Sequence, residues 1–346
     1  MSDEKLFASF APLSRQQWEA KALQDLEGKA ISDLRTTWQD LTIEPYYAIE
    51  DLEPTLQDPL LAQPAKWLNY VKITVDDVHE ANEAAHYELM HGATGLLFEV
   101  PQPVELSTLL KGIDAGHCAL AFKGAITLQD YLDYLSGKTK PAQLQGFIDQ
   151  PDMQAFPDGP HFYPAMIGST ATTDWQELLN ILQHLHRQLP AGDDQAAARA
   201  VSTAYKLQVP ANYFMGIAKV RSLRLLLVHF FSAYGWQKQP ADFHILAVSP
   251  HWQHPDLGPH ENMLKATTAA MAAVIGGCNA LLTEPGGDDP QERLVARNIA
   301  LILEYEAHLD KVADPAAGSY FIENLTGQLV NKVWEAFLQQ QHETAV

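Results

Sequence analysis

From Trp67 onward, short runs of apolar, β-branched and aromatic residues recur near 69–75, 94–100, 117–122, 143–148, 161–167, 199–206, 243–249 and 279–283. Stretches with helical spacing separate most of them. Over 174–188 the residues Trp175, Leu178, Leu179, Leu182 and Leu185 fall on one stripe, the mark of a helix with one buried face. Gly92 follows a helical pattern and precedes Gly95–Val100, a helix stop before a strand. The apolar runs do not alternate with polar residues, as expected for parallel strands covered on both faces. Eight strand–helix units in about 280 residues predict a (β/α)8 TIM-type barrel over residues 66–346. A doubly wound open sheet would give a similar pattern and stands as the structural alternative.

Residues 1–65 have another character. Ser14-Arg15-Gln16-Gln17 forms a capping box ahead of an amphipathic run that ends at Gly28, so one helix is expected there. Beyond it Trp38, Pro45, Tyr46, Tyr47, Pro54, Pro59 and Pro64 are scattered without periodicity. The segment is too apolar for a disordered tail. It predicts an extended N-terminal arm that packs on another surface, which could belong to a partner.

The formal net charge of −20 argues against partners bound through phosphate backbones or anionic lipid surfaces, so neither nucleic acid nor membrane is expected. A small phosphate-bearing ligand in a local basic pocket stays compatible with it. No run approaches the roughly 18 apolar residues of a membrane span. The start, Met1-Ser2-Asp3-Glu4-Lys5, has no basic n-region and no apolar h-region. Cys118 and Cys278 are the only cysteines, which suits buried thiols in a reducing compartment and points to the cytoplasm.

Little chemistry can be singled out from residue types alone. Gly276-Gly277 and Gly286-Gly287 do not belong to a GxGxxG or Walker pattern. His251, His254, Asp256 and His260 share a polar loop with Trp252, Pro255 and Pro259, and a solvated loop explains them better than a metal does. His184 and His186 are two apart on a helix and face different ways. No Ser-His-Asp set or carboxylate pair emerges, so the sequence assigns no catalytic, cofactor-binding or metal residues.

The most specific segment lies near the C-terminus. Arg297-Asn298, Leu301, Glu304 and Val312 lead into Asp314-Pro315-Ala316-Ala317-Gly318-Ser319-Tyr320, followed by Glu323 and Leu325-Thr326. It resembles the "RN…L…E…VxDPxxGSYxxExLT" signature of methylmalonyl-CoA mutases, in which the Asp-Pro and Gly-Ser turn tightly after the last barrel helix and Tyr320 could anchor the corner. Pro45–Leu52 is similar to that family's arm, and Ala81–Ala85 with Gly92–Gly95 to its first helix and second strand. Phe214–Arg224 resembles its "F…iAKlRAlR" helix, and Asn262–Leu264 with Gly276–Asn279 the helix before its eighth strand. These segments run in family order along essentially the whole chain, with the flavour of the small subunit of heterodimeric mutases.

The resemblance carries its own expectations. Catalytic members add a cobalamin domain after the barrel. Here about twenty residues follow the corner, so no such domain is expected. Asp242-Phe243-His244-Ile245-Leu246-Ala247 nearly spells the DxHxxG whose histidine ligates cobalt, but the glycine is missing and the segment falls on a central strand. Where catalytic members carry "RGxYPTMYRGRPW", this chain has Leu56–Trp67, without tyrosine or arginine. The histidine of "GYHMQEAG", which bonds the thioester carbonyl, corresponds to Met166, and a thioether cannot donate that bond. Ile245–Pro250 replaces the polar "RTHSQTSG" strand, and Gln150–Pro157 shortens the region of the carboxylate-binding arginine. Apolar residues are thus expected where the family keeps polar ones.

The resemblance therefore implies a non-catalytic small subunit paired as a heterodimer with a large catalytic subunit. Adenosylcobalamin would sit in that partner, which would interconvert methylmalonyl-CoA and succinyl-CoA. Expressed alone, the chain could pair with itself. Two alternatives are a divergent catalytic barrel that borrows a cobalamin domain from another chain, and a stand-alone acyl-CoA-binding barrel.

Overall fold

A proline closes the sheet. The computed structural model describes residues 14–52, 60, 66–156, 158–189, 196–250, 256–287 and 290–344. A hairpin of β1 (Thr36–Trp38) and β2 (Leu41–Ile43) belongs to the arm. The main sheet holds β3 (Leu68–Thr74), β4 (Gly95–Val100), β5 (Ala119–Gly124), β6 (Gln145–Ile148), β7 (His161–Tyr163), β8 (Ala165–Gly168), β9 (Thr203–Gln208), β10 (Ile245–Val248) and β11 (Ala280–Leu282). Its order is β7-β6-β5-β4-β3-β11-β10-β9-β8, so β7 and β8 stand at its two ends. Only Pro164 separates them.

Residues 161–168 thus act as one strand, pairing in parallel with β6 before the proline and with β9 after it. Proline has no N–H to give a ladder, which suits it to the point where a strand changes partner. Counted this way, eight strands close a parallel (β/α)8 barrel at the expected places. The strand expected at 199–206 starts later. Arg199–Val201 is the last turn of helix α6 (Ala196–Val201), and Ser202 ends that helix by returning both its N–H and its hydroxyl to Ala198 O.

Helices α2 (Val78–Met90), α3 (Leu106–Leu109) and α4 (Leu128–Leu135) cover the first half of the sheet. With β3 to β7 they enclose one apolar layer that includes Phe98, Phe122, Tyr131 and Phe162. A larger layer lies beneath α5 (Asp174–Gln188), α7 (Tyr213–Ala233), α8 (Pro259–Ile275), α9 (Pro290–Leu301) and α10 (Tyr320–Thr344). α5 matches the predicted span, with Leu178, Leu179, Leu182 and Leu185 buried. Gly92 takes φ +102 just past α2, as a helix stop requires. The segment that leads into the Asp314–Tyr320 corner is α9 followed by a π-helical turn, Ile302–Glu306.

α7 is buried nearly all round because α10 lies along its outer side. Phe214 meets Phe321 with centroids 5.2 Å apart, and Phe230 meets Phe337 at 5.9 Å. A helix covered on every side must be apolar or must pair its charges internally. α7 does both.

The arm begins as predicted. α1 (Arg15–Asp25) is capped by Ser14 and Gln17 in a reciprocal capping box, and none of its residues is buried. The rest of the described arm departs from expectation. β1 and β2 form a hairpin that lies on the chain's own barrel, with Leu41 buried against Met215, Ala218, Leu325 and Leu329. Gln39 bonds Asp174, and Tyr47 accepts from Gln328 while packing edge-on against Phe321. An apolar segment covers its surface where it can, and the hairpin does so on α7 and α10 of its own chain.

Candidate functional site

In a parallel barrel, groups that do chemistry gather where the strands end. The interior below that mouth is filled by Tyr70, Leu97, Phe147, Met166, Leu246 and Leu282 with smaller neighbours. Side chains alternate along a strand, so the residue two further on also points inward. Around the barrel that position holds Lys72, Glu99, Lys123, Asp149, Gly168, Lys206, Val248 and Glu284. Six of the eight are charged, and the signs alternate.

The charges are paired off. Lys72 Nζ lies 2.5 Å from Glu284, and Lys123 Nζ lies 2.5 Å from Glu99 on the next strand. Lys206 Nζ reaches both oxygens of Asp149 at 2.7 and 2.9 Å, although β8 runs between their strands. Gly168 allows this, because a Cβ there would stand 3.0 Å from both Cβ and Cε of Lys206. The hydrogen bond from Lys123 holds the Glu99 carboxyl below its ordinary range, with Lys72 and Lys206 adding to the pull. The same bond raises Lys123. The three pairs sum to zero charge and form a polar rim above an apolar interior.

Several positions read from the sequence fall near this mouth. Met166 is 2% exposed in the interior layer, directly below Gly168. Ile245–Val248 is the buried strand β10. In the Gln150–Pro157 segment, Gln150 donates to Pro164 O and Phe156 N–H bonds Ser202, so it braces the strand seam. Pro157 lies outside the described residues, as does nearly all of Leu56–Trp67 apart from Leu60, Lys66 and Trp67. Met166 and β10 are apolar, and the mouth above them carries the alternating charges, which lie outside the segments singled out from the sequence.

Other candidates do not come together. His244 stacks on Tyr163 at 4.6 Å at the opposite end of the barrel. Burial pushes its pKa down to about 3, helped by Arg224 and His161. Its Nε2 is enclosed and makes no hydrogen bond, so it does not fit a cobalt ligand presented to a cofactor. His184 bonds Pro151 O and His186 bonds Tyr234, on different sides of α5. His251 and His254 lie outside the described residues.

The C-terminal signature proves to be ionic scaffolding. Arg221 is 1% exposed and joins Asp314 and Glu323, the latter through two bonds of 2.6 and 2.7 Å to one nitrogen. Lys219 joins Asp174 at 2.7 Å, Glu177 at 2.6 Å and Gln208 O at 2.7 Å. Burial raises Glu177 despite that lysine. Arg224 meets no carboxylate. It donates to the carbonyls of Pro240, Phe243 and Gly277 and to Asn279, and burial lowers its pKa to about 10. Arg297 pairs with Glu88 at 2.6 Å. Tyr320, expected to anchor the corner, is 39% exposed; Arg221 anchors it instead, because a buried guanidinium needs the corner's two carboxylates.

The fingerprint is thus built into the architecture. The family model described as methylmalonyl-CoA mutase matches residues 190–343, which carry α7, the corner and α10. The small subunit of methylmalonyl-CoA mutase from Porphyromonas gingivalis is 31% identical over an alignment of 405 positions that covers 97% of this chain. The chain belongs to the methylmalonyl-CoA mutase family. A probable mutase small subunit from Mycobacterium bovis is 30% identical over 191 residues, or 52% of this chain. The chain spans 64% of the length of the first relative and 30% of the second. A solved dihydropteroate synthase from Yersinia pestis superposes over 78% of this chain and 98% of its own at 13% identity, with a TM-score of 0.39, too distant to carry an argument.

Within the mutase family fold, the ring of alternating charges carries no sequence motif of its own. A signal existed. Each charge stands two residues beyond an interior position at the end of a strand, a pattern visible once the strands are aligned by their apolar members. Among the described residues no helix is long and apolar enough to cross a membrane.

Proposed function

We propose that this chain is a non-catalytic small subunit of a methylmalonyl-CoA mutase. It would pair with a large subunit that carries adenosylcobalamin and interconverts methylmalonyl-CoA and succinyl-CoA, and stabilise it. The observation that carries this reading is the mouth. Its charged groups satisfy one another, and Met166 stands where the family's thioester-binding histidine would be. A catalytic barrel needs positioned donors left free for substrate. The names of the relatives support the subunit assignment. α1, which buries none of its residues on this chain, suits contact with the partner. The unpaired Cys118 and Cys278 agree with a cytoplasmic complex.

When bound in the large subunit, adenosylcobalamin would supply the radical that starts the rearrangement. His244, the histidine of the near-DxHxxG segment, is enclosed and would not be presented to the cofactor, so the large subunit would hold it. The task of this chain would be structural. Co-expression with a full-length mutase bearing "GYHMQEAG" and DxHxxG should give a stable complex, with turnover absent from this chain alone. Turnover upon adding only a free cobalamin-binding domain would overturn the reading, as would failure to co-purify with any such large subunit.

A further inference from the structure

We propose that the mouth is a self-neutralised anion site: Lys72, Lys123 and Lys206 are arranged to hold a small polyanion of the phosphate or dicarboxylate class, and Glu284, Glu99 and Asp149 occupy that role from within. This deepens the non-catalytic reading, on which it rests, by naming what silences the mouth.

The geometry has three parts. The lysines come from β3, β5 and β9, each two residues beyond an interior residue of its own strand. Their ammonium groups stand closely enough for Glu99 to respond to Lys72 and Lys206 as well as to its partner Lys123. Lys123 in turn responds to Asp149 and Glu284 besides Glu99. Three cations on one rim of a chain with net charge −20 are a local concentration of positive charge. Left alone they would repel one another and attract anions.

The carboxylates cancel this. Each is covalently part of the barrel and lies within 2.5 to 2.7 Å of its lysine. An incoming phosphate must displace a partner tethered to the same barrel, and it loses translational freedom besides. Asp149 is the deepest of the three, with its side chain 12% exposed, and its lysine is held to it across Gly168. The wild-type mouth therefore refuses anions, while the same lysines without their acids would accept them.

The test uses the full chain and inorganic phosphate, with malonate as a second probe. Calorimetric titration compares wild type with E99Q, E284Q and the triple variant E99Q/D149N/E284Q, each checked for fold by circular dichroism. Wild type should show no saturable binding at millimolar phosphate. The triple variant should bind at least about tenfold more tightly, and adding K123M to it should remove most of the gain. Saturable wild-type binding as tight as the variant's would overturn the proposal, and so would a folded triple variant that binds nothing. Should the triple variant not fold, E99Q and E284Q decide, since each frees one lysine; no gain in either is equally fatal. Co-purification with the large subunit is scored separately, so the ring can fail while the subunit reading stands, and the reverse.

Discussion

Lys206 reaches Asp149 by lying across Gly168, with Nζ 2.7 and 2.9 Å from the two carboxylate oxygens. The glycine is there for space. Gly168→Val would push the lysine stem aside, with an overpacking cost of about 1–3 kcal/mol. The melting temperature should fall, and Lys206 should react faster with an amine-labelling reagent, read by peptide mass spectrometry. An unchanged labelling rate would show that the lysine has another route to its partner.

Acid should dissolve one ring pair predictably. Glu99 is held below its ordinary value of 4.5 chiefly by its bond from Lys123. A depressed carboxylate adds stability that is fully present above the unfolded pKa and is lost as pH falls through the folded one. The difference in melting temperature between wild type and E99Q should be level near neutrality and shrink below about pH 4.5. The pair is well exposed, so the difference should be small. A gap that widens in acid would reverse the assignment.

The corner should fail sharply. Arg221→Met leaves Asp314 and Glu323 buried without a cation, which costs about 3–5 kcal/mol. Replacing Arg221, Asp314 and Glu323 together by apolar residues should recover much of that loss. Urea unfolding of the single and triple variants checks both, and a single variant as stable as wild type would remove the scaffold role of the signature.

The arm should divide in two. Deleting residues 1–30 removes α1, none of whose residues is buried, and should leave the melt nearly unchanged. Deleting 1–52 also strips the hairpin from α7 and α10 and should lower the melting temperature clearly. Leu41→Ala alone should cost about 2–4 kcal/mol, since the leucine is 4% exposed in its cluster. Equal melts for the two deletions would return the hairpin to the role of a free arm.

How much of this was legible followed from the range of the forces involved. The barrel could be read because eight buried strands must each be apolar, and that demand is local. The hairpin could not. Its two-residue turn is Gln39-Asp40, both at positive φ of 46° and 65°, where an Asn-Gly or Asp-Gly pair would have announced it. The ring was hidden for a different reason. A lysine at a strand end looks like any surface lysine until the closed sheet brings Glu284 beside Lys72, 212 residues away in sequence. The helix 213–233 could be recognised by its residues, but the partners of Lys219 and Arg221 come from α5 and from beyond α9.

Pro164 has a consequence for the order in which the molecule opens. The strand it divides belongs to both half-sheets, and the two outer apolar layers part at nearly the same place, Phe162 in one and Ala165 in the other. Each half carries most of its own insulation, and they are joined by the interior, by the pairing of β3 with β11 and by a few bridges such as Arg297 to Glu88 and Lys206 to Asp149. In amide exchange the barrel should therefore behave as two cooperative units joined at a stitch, with protection changing step between Phe162 and Ile167. The half ending at Tyr163 holds nearly all of its own outer layer in its own sequence, so on synthesis it should be able to pack before the second half arrives to close the barrel.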